Sequence, residues 1–188
     1  MKPIDPPINN TARYGVQGST FVDARYEGYG IGGVAIIIDC LTDNRQRTAP
    51  EVRAVLSKAG GNLGTAGSVA FMFDLKGIIT IEGTAAQEDE IMNAAVEAGG
   101  EDVEFDDGLW TITTPPDSVA EVRDKLEAAG FTIDSGTREM IPNVNVGVEG
   151  DAVAQNIKLL NALEDLDDVQ KVYSNMDASA QDLAAAMD

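Results

Sequence analysis

The chain has 188 residues, 44% of them hydrophobic and 24% charged, enough apolar side chains for one large core or two small ones. It carries 32 acidic against 13 basic side chains, a net charge of −19, a single cysteine and no histidine. These counts exclude an internal disulfide framework, every Ser-His-Asp or Cys-His catalytic system and every imidazole-containing metal site. No apolar run approaches the roughly 20 residues of a membrane helix, and the opening Met1–Pro7 has no apolar signal core, so a soluble cytoplasmic protein is expected.

Residues 1–24 have little periodicity and contain three prolines, the pair Asn9-Asn10, Gly15 and Gly18; they read as an extended arm. Val34–Leu41 is a continuous apolar, β-branched run that predicts a buried strand. Thr48 reads as the N-cap of the next helix, with Pro50 in its first turn and Glu51 completing a capping box; Gly60-Gly61 stops it. Ser68–Phe73 and Gly77–Glu82 predict two further strands, and Ala86–Ala98 a helix. Asp106-Asp107-Gly108, between two apolar alternations, is a strong hairpin signal. A helix from Pro116 to Ala129 and a strand from Phe131 follow.

The stretch from 77 to 141 therefore spells β-α-β-β-α-β, the ferredoxin-like sandwich. The flanking pieces are strand 34–41, helix 48–59, strand 68–74, strand 138–141, helix 151–163 and strand 169–173, and joined together they spell the same order. The expected class is α+β: two ferredoxin-like sandwiches, one inserted into the other. The expected parts are a discontinuous domain of residues 25–76 plus 138–175, an inserted domain of residues 77–137, and a frayed tail of residues 176–188.

Charge is distributed unevenly. Residues 1–81 hold 8 Lys/Arg and 7 Asp/Glu, whereas residues 82–188 hold 5 and 25. Phosphate contacts need cations, so any nucleic-acid surface is expected in the first half. Residues 42–67 concentrate the positive charge in Arg45, Arg47, Arg53 and Lys58, against only Asp43 and Glu51. Arg45 and Arg47, placed on the loop before the helix, point outward to bind phosphate or acidic protein; alternatively they pair with carboxylates of the acidic half. Both readings stand at this point. The glycine-rich return 60–68, which contains Asn62, offers backbone N–H groups for an anion nest, or is simply a C-cap and turn. Gly28, Gly30, Gly32 and Gly33 precede a strand, which is the wrong place for a phosphate loop and suits a tight turn. Trp110 is expected in the core rather than stacked on a base, Cys40 is expected to be inert, and Asp165, Asp167 and Asp168 form a solvated cluster. No metal or cofactor is implied.

At several of these residues the chain resembles the YebC family of probable transcriptional regulators and translational activators. The resemblance rests on Glu27-Gly28-Tyr29-Gly30 with Gly32-Gly33, then Thr42-Asp43-Asn44-Arg45 with Arg47-Thr48, then Lys58 with Gly60-Gly61-Asn62-Leu63-Gly64 and Gly67-Ser68-Val69. It continues through Asp106-Asp107-Gly108, Met140-Ile141-Pro142 and Asp168-Val169-Gln170. Ile31 and Gln46 depart from the usual proline and asparagine. Family members open with a basic helical domain that begins Gly-His-Ser-Lys-Trp; that run is missing, and residues 1–24 read as the remainder of its end.

The resemblance implies a non-enzymatic regulator of transcription or translation whose partner is nucleic acid or the ribosome. Much of the family's positive charge lies in the missing domain, so weaker direct DNA contact is implied. The phosphate contacts would come from Arg45, Arg47, Arg53 and Lys58, with backbone donors around Asn62. Alternatives are a protein-interaction module, possibly acting on full-length relatives, and a small-molecule sensor at the interface of paired ferredoxin-like domains. No membrane partner is expected.

Overall fold

A computed structural model describes residues 20–188, so the expected arm lies almost wholly outside the described residues. The chain divides into two compact units, one made of the residues up to Phe73 together with Pro142–Asp188, the other of Asp74–Ile141. The class is α+β, with two four-stranded antiparallel sheets and five α-helices among the described residues.

In the first unit, β1 (Val22–Tyr29) and β2 (Ala35–Thr42) form an antiparallel pair in register from Val22↔Thr42 to Tyr29↔Ala35. Helix α1 (Arg45–Lys58) follows, then the two-residue strand β3 (Asn62–Leu63), which pairs with Gly28 and Tyr29. After the second unit, helix α4 (Asp151–Glu164) leads into β9 (Val169–Ser174), which pairs with β2 from Ile36↔Ser174 onward. The sheet order is β3-β1-β2-β9. The main core cluster lies on one sheet face, where Val34, Ile36, Ile38 and Cys40 pack against Val52 and Leu56 of α1 and Val153, Leu159 and Leu163 of α4; Ala35, Ile37 and Leu41, on the other face of β2, are buried as well.

This order matches that of a ferredoxin-like sheet, with different wiring. The strand expected from 138–141 lies elsewhere, in β7 (Ser135–Pro142) of the second unit, and its place beside β2 is filled by β1, ahead of the rest of the sandwich. The sequence hides β1 because its core-facing positions are Ala24, Tyr26 and Gly28, a weak apolar alternation.

The second unit runs β4 (Phe73–Glu82), α2 (Glu88–Ala98), β5 (Asp102–Asp106), β6 (Leu109–Thr114), α3 (Val119–Ala128) and β7, in the sheet order β5-β6-β4-β7. This is the ferredoxin-like order, with Ile79, Ile81, Ile91, Ala95, Trp110, Ile112, Val122 and Leu126 in its core. At the β5–β6 turn Asp107 and Gly108 both take positive φ, the backbone that a two-residue hairpin with right-handed strand twist requires. Trp110 is buried, its indole N–H donates to the Thr84 carbonyl, and its ring lies 4.7 Å from that of Phe105.

Three local expectations are corrected. There is no strand at 68–73: Ala70–Met72 is a 3₁₀ turn and Phe73 starts β4, because the Val69 and Ala70 amides are taken by a carboxylate and cannot join a ladder. The residues after Ser174 are not frayed: β10 (Met176–Asp177) pairs in parallel with β8 (Val146–Gly147), and helix α5 spans Ala180–Ala186. Helix α1 starts three residues before Thr48. Asn44 is its N-cap, its side chain accepting from the Gln46 and Arg47 amides, so Arg45 and Arg47 belong to the first helical turn rather than to a loop.

Candidate nucleic-acid interface

The start of α1 is pinned by a buried carboxylate. Asp168, just before β9, is 7% exposed and receives both Arg47 Nη2 contacts, at 2.9 and 3.0 Å, with Nε at 3.3 Å. The Thr48 hydroxyl donates to the same carboxylate at 2.7 Å, and Arg47 also reaches Asp43 at 3.0 Å. Burial would push the Asp168 carboxyl up, but the hydrogen bonds from Thr48 and Arg47 hold it below the usual carboxylate range. The solvated cluster expected at 165–168 is therefore corrected at Asp168; Asp165 and Asp167 are exposed. Thr48, the expected cap, is buried because its hydroxyl satisfies this carboxylate. Thr42 contributes a buried hydroxyl that accepts the Asn44 amide at 2.9 Å.

The remaining basic residues of the segment are placed differently. Arg45 is exposed, with one guanidinium nitrogen donating to the Asp23 carbonyl at 2.9 Å. Arg53 and Lys58 are exposed on α1, and among the described residues neither makes an ion pair. Asn62 is exposed in β3. Thus Arg45, Arg53, Lys58 and Asn62 face solvent; the Arg47 side chain is also exposed, at 43%, but its guanidinium is tied to Asp168 and Asp43.

The anion nest exists, and the protein fills it itself. Glu27 on β1 is 5% exposed, and its carboxylate accepts the amides of Gly67 at 2.6 Å, Val69 at 2.9 Å and Ala70 at 2.7 Å. Burial acts to raise the Glu27 carboxyl, and the three amides more than reverse it, leaving it below the ordinary range. The loop after Gly64 is therefore a structural clamp on β1.

The glycine motif serves close backbone approach. A Cβ on Gly61 would lie 2.2 Å from the Tyr29 carbonyl oxygen, and one on Gly28 would lie 2.9 Å from that of Asn62, so glycine lets β1, β3 and the end of α1 meet. A Cβ on Gly30 would meet Asn156 Oδ1 at 2.4 Å. Gly32, Gly33 and Gly60 have positive φ, Gly64 packs against Ser68, and the Tyr29 hydroxyl donates to the Ser68 carbonyl. Asn156 is fully buried and hydrogen-bonds both the amide and the carbonyl of Ile31, at 2.9 Å each; Asn175, also fully buried, accepts the Ala35 amide at 2.7 Å. Neither asparagine carries a signal in the sequence, since each fastens a backbone more than a hundred residues away. Burial pushes the Cys40 thiol up to about 12, which leaves it inert.

These features coincide with a known family. The family model described as the TACO1/YebC second and third domain matches residues 21–176. The chain belongs to the TACO1/YebC family. A probable transcriptional regulatory protein of Trichlorobacter lovleyi is 46% identical over 173 residues, covering 92% of this chain and 70% of that protein. The probable transcriptional regulatory protein YebC of Shigella boydii is 50% identical over 163 residues, covering 86% of this chain and 65% of the relative. A crystal structure of a conserved hypothetical protein from Aquifex aeolicus superposes with a TM-score of 0.79 at 40% identity, covering 87% of this chain and 68% of the other. The TACO1/YebC match spans both buried carboxylate sites, Glu27 with its loop amides and Asp168 with Arg47 and Thr48. Among the described residues no helix is long and apolar enough to cross a membrane, and no group of three or more His, Cys, Asp or Glu is placed to hold a metal.

Proposed function

We propose that this chain is a non-enzymatic regulator of gene expression that works by contacting nucleic acid, free or within the ribosome. The observation that carries the reading is the set of cations left over once the fold is accounted for. Arg47 is exposed but bound to Asp168 and Asp43, whereas Arg53 and Lys58 are exposed on α1 with no ion pair among the described residues, and Arg45 gives one bond to the Asp23 carbonyl. Their segment is the basic one in a chain of net charge −19, so a phosphate backbone approaches there with least repulsion. The names of the relatives support a regulatory role, and the occupied anion nest removes the loop after Gly64 from the list of phosphate sites.

Ribosome co-sedimentation across a salt series tests this. The wild type is expected to pellet with ribosomes at low salt and to be released as salt rises, and Arg53→Ala with Lys58→Ala is expected to release at lower salt. A wild type that stays in the supernatant at every salt concentration, and binds no free RNA or DNA, refutes the proposal.

A further inference from the structure

Two surfaces of this chain are complementary in charge and in apolar character. Helices α1 and α4 form an open groove of about 680 Å³, floored by Val55, Ala59, Leu159 and Ala162 and flanked by Lys58 and Lys158. Both lysines are exposed, neither makes an ion pair among the described residues, and no carboxylate lines the groove. On α2 in the second unit, Met92 is 42% and Val96 70% exposed. They lie one turn apart on the same side of the helix, with Glu88 and Asp89 a turn earlier and Glu97 beside them. This is an acidic amphipathic helix that leaves an apolar pair in water.

We propose that α2 of a second copy of this chain docks in the α1–α4 groove, with Met92 and Val96 on the apolar floor and the acidic residues of α2 toward Lys58 and Lys158. Charge selects this occupant. Two copies of a chain at −19 repel over most of their surfaces, and the groove is a place where an acidic helix meets only cations. Helix-in-groove docking needs the i, i+4 apolar pair that α2 presents. The contact is heterologous, groove to helix, so each dimer keeps one free groove and one free helix. An 11-residue helix covers less area than a stable dimer interface, so the association is weak and concentration-dependent. The inference does not rest on the nucleic-acid reading; Lys58 serves both, and Val96 separates them.

Sedimentation velocity on the full chain at low salt, from about 10 μM to about 1 mM, covers the range in which so small a contact operates. The weight-average mass of the wild type is expected to rise with concentration. Val96→Asp alone, and Lys58→Glu with Lys158→Glu, are each expected to remain monomeric with unchanged melting temperature, because all three side chains are exposed. Mixing the two defective proteins restores a one-to-one complex, since one supplies an intact groove and the other an intact helix. A monomeric wild type across the range, variants that associate as the wild type does, or a mixture that stays monomeric overturns the proposal. A loss of association in the groove variant with none in Val96→Asp also overturns it, because another segment then fills the groove. Val96→Asp is expected to bind nucleic acid as the wild type does, so failure of the self-association proposal is distinguishable from failure of the nucleic-acid reading.

Discussion

Replacing Glu27 by Gln removes a charge and one acceptor without changing the side chain's shape. In the wild type one carboxylate oxygen accepts from the Val69 and Ala70 amides and the other from Gly67. A glutamine that keeps its oxygen toward Val69 and Ala70 turns an NH₂ group against the Gly67 amide, and the two surviving bonds lose their charge assistance. One lost charge-assisted bond plus two weakened ones sum to about 2–4 kcal/mol, or about 5–12 °C in melting temperature for a chain of this size. The pH dependence gives a second handle. The Glu27 carboxyl is depressed in the folded state, so its stabilisation is fully present above its unfolded value of about 4.3 and is lost as pH falls through the folded value. The gap between wild type and Glu27→Gln in thermal melts is therefore expected to be widest near neutral pH and to narrow below about pH 4. Amide hydrogen exchange at Gly67, Val69 and Ala70 is expected to accelerate in the variant. A variant that melts with the wild type at pH 7, or a gap that does not change on acidification, refutes the clamp.

Asn44→Ala removes the α1 cap and is expected to cost about 1 kcal/mol, read as a fall of about 2–4 °C in melting temperature. Gly61→Ala drives a Cβ into the Tyr29 carbonyl and is expected to cost about 1–3 kcal/mol by denaturant titration, whereas Gly147→Ala, with nothing within 4 Å, is expected to melt with the wild type.

The hydrophobic pattern exposes those elements whose apolar spacing is strong and local. Strand 35–42, the helices 45–58, 88–98, 119–128 and 151–164, and the Asp106–Leu109 hairpin all announce themselves this way. What the pattern hides depends on partners far away in sequence. Strand β1 places Asp23, Arg25 and Glu27 on the face away from the core, and Arg25 is held there by Asp39 at 2.6 Å. The pairing of Arg47 with Asp168 spans 121 residues, so local sequence leaves its phosphate-binding and structural readings open until the fold brings the two together. The 68–73 stretch is apolar enough to read as a strand, and only the Glu27 carboxylate explains why it is not one.

Under the proposed function, Arg53 and Lys58 contact phosphate, whereas Arg47, exposed but bound to Asp168 and Asp43, does not. Fluorescence anisotropy of labelled single-stranded RNA and duplex DNA, titrated across a salt series, measures this directly. Each lost phosphate contact reduces the slope of log affinity against log salt by about 0.7 for single strands and about 0.9 for duplex DNA. Arg53→Ala with Lys58→Ala is expected to lower the slope by the sum of two contacts with an unchanged melting temperature, and Arg47→Ala to lower the melting temperature while leaving the slope intact. A wild-type slope in the Arg53→Ala, Lys58→Ala protein, or a flattened slope in a fully folded Arg47→Ala protein, contradicts the claim.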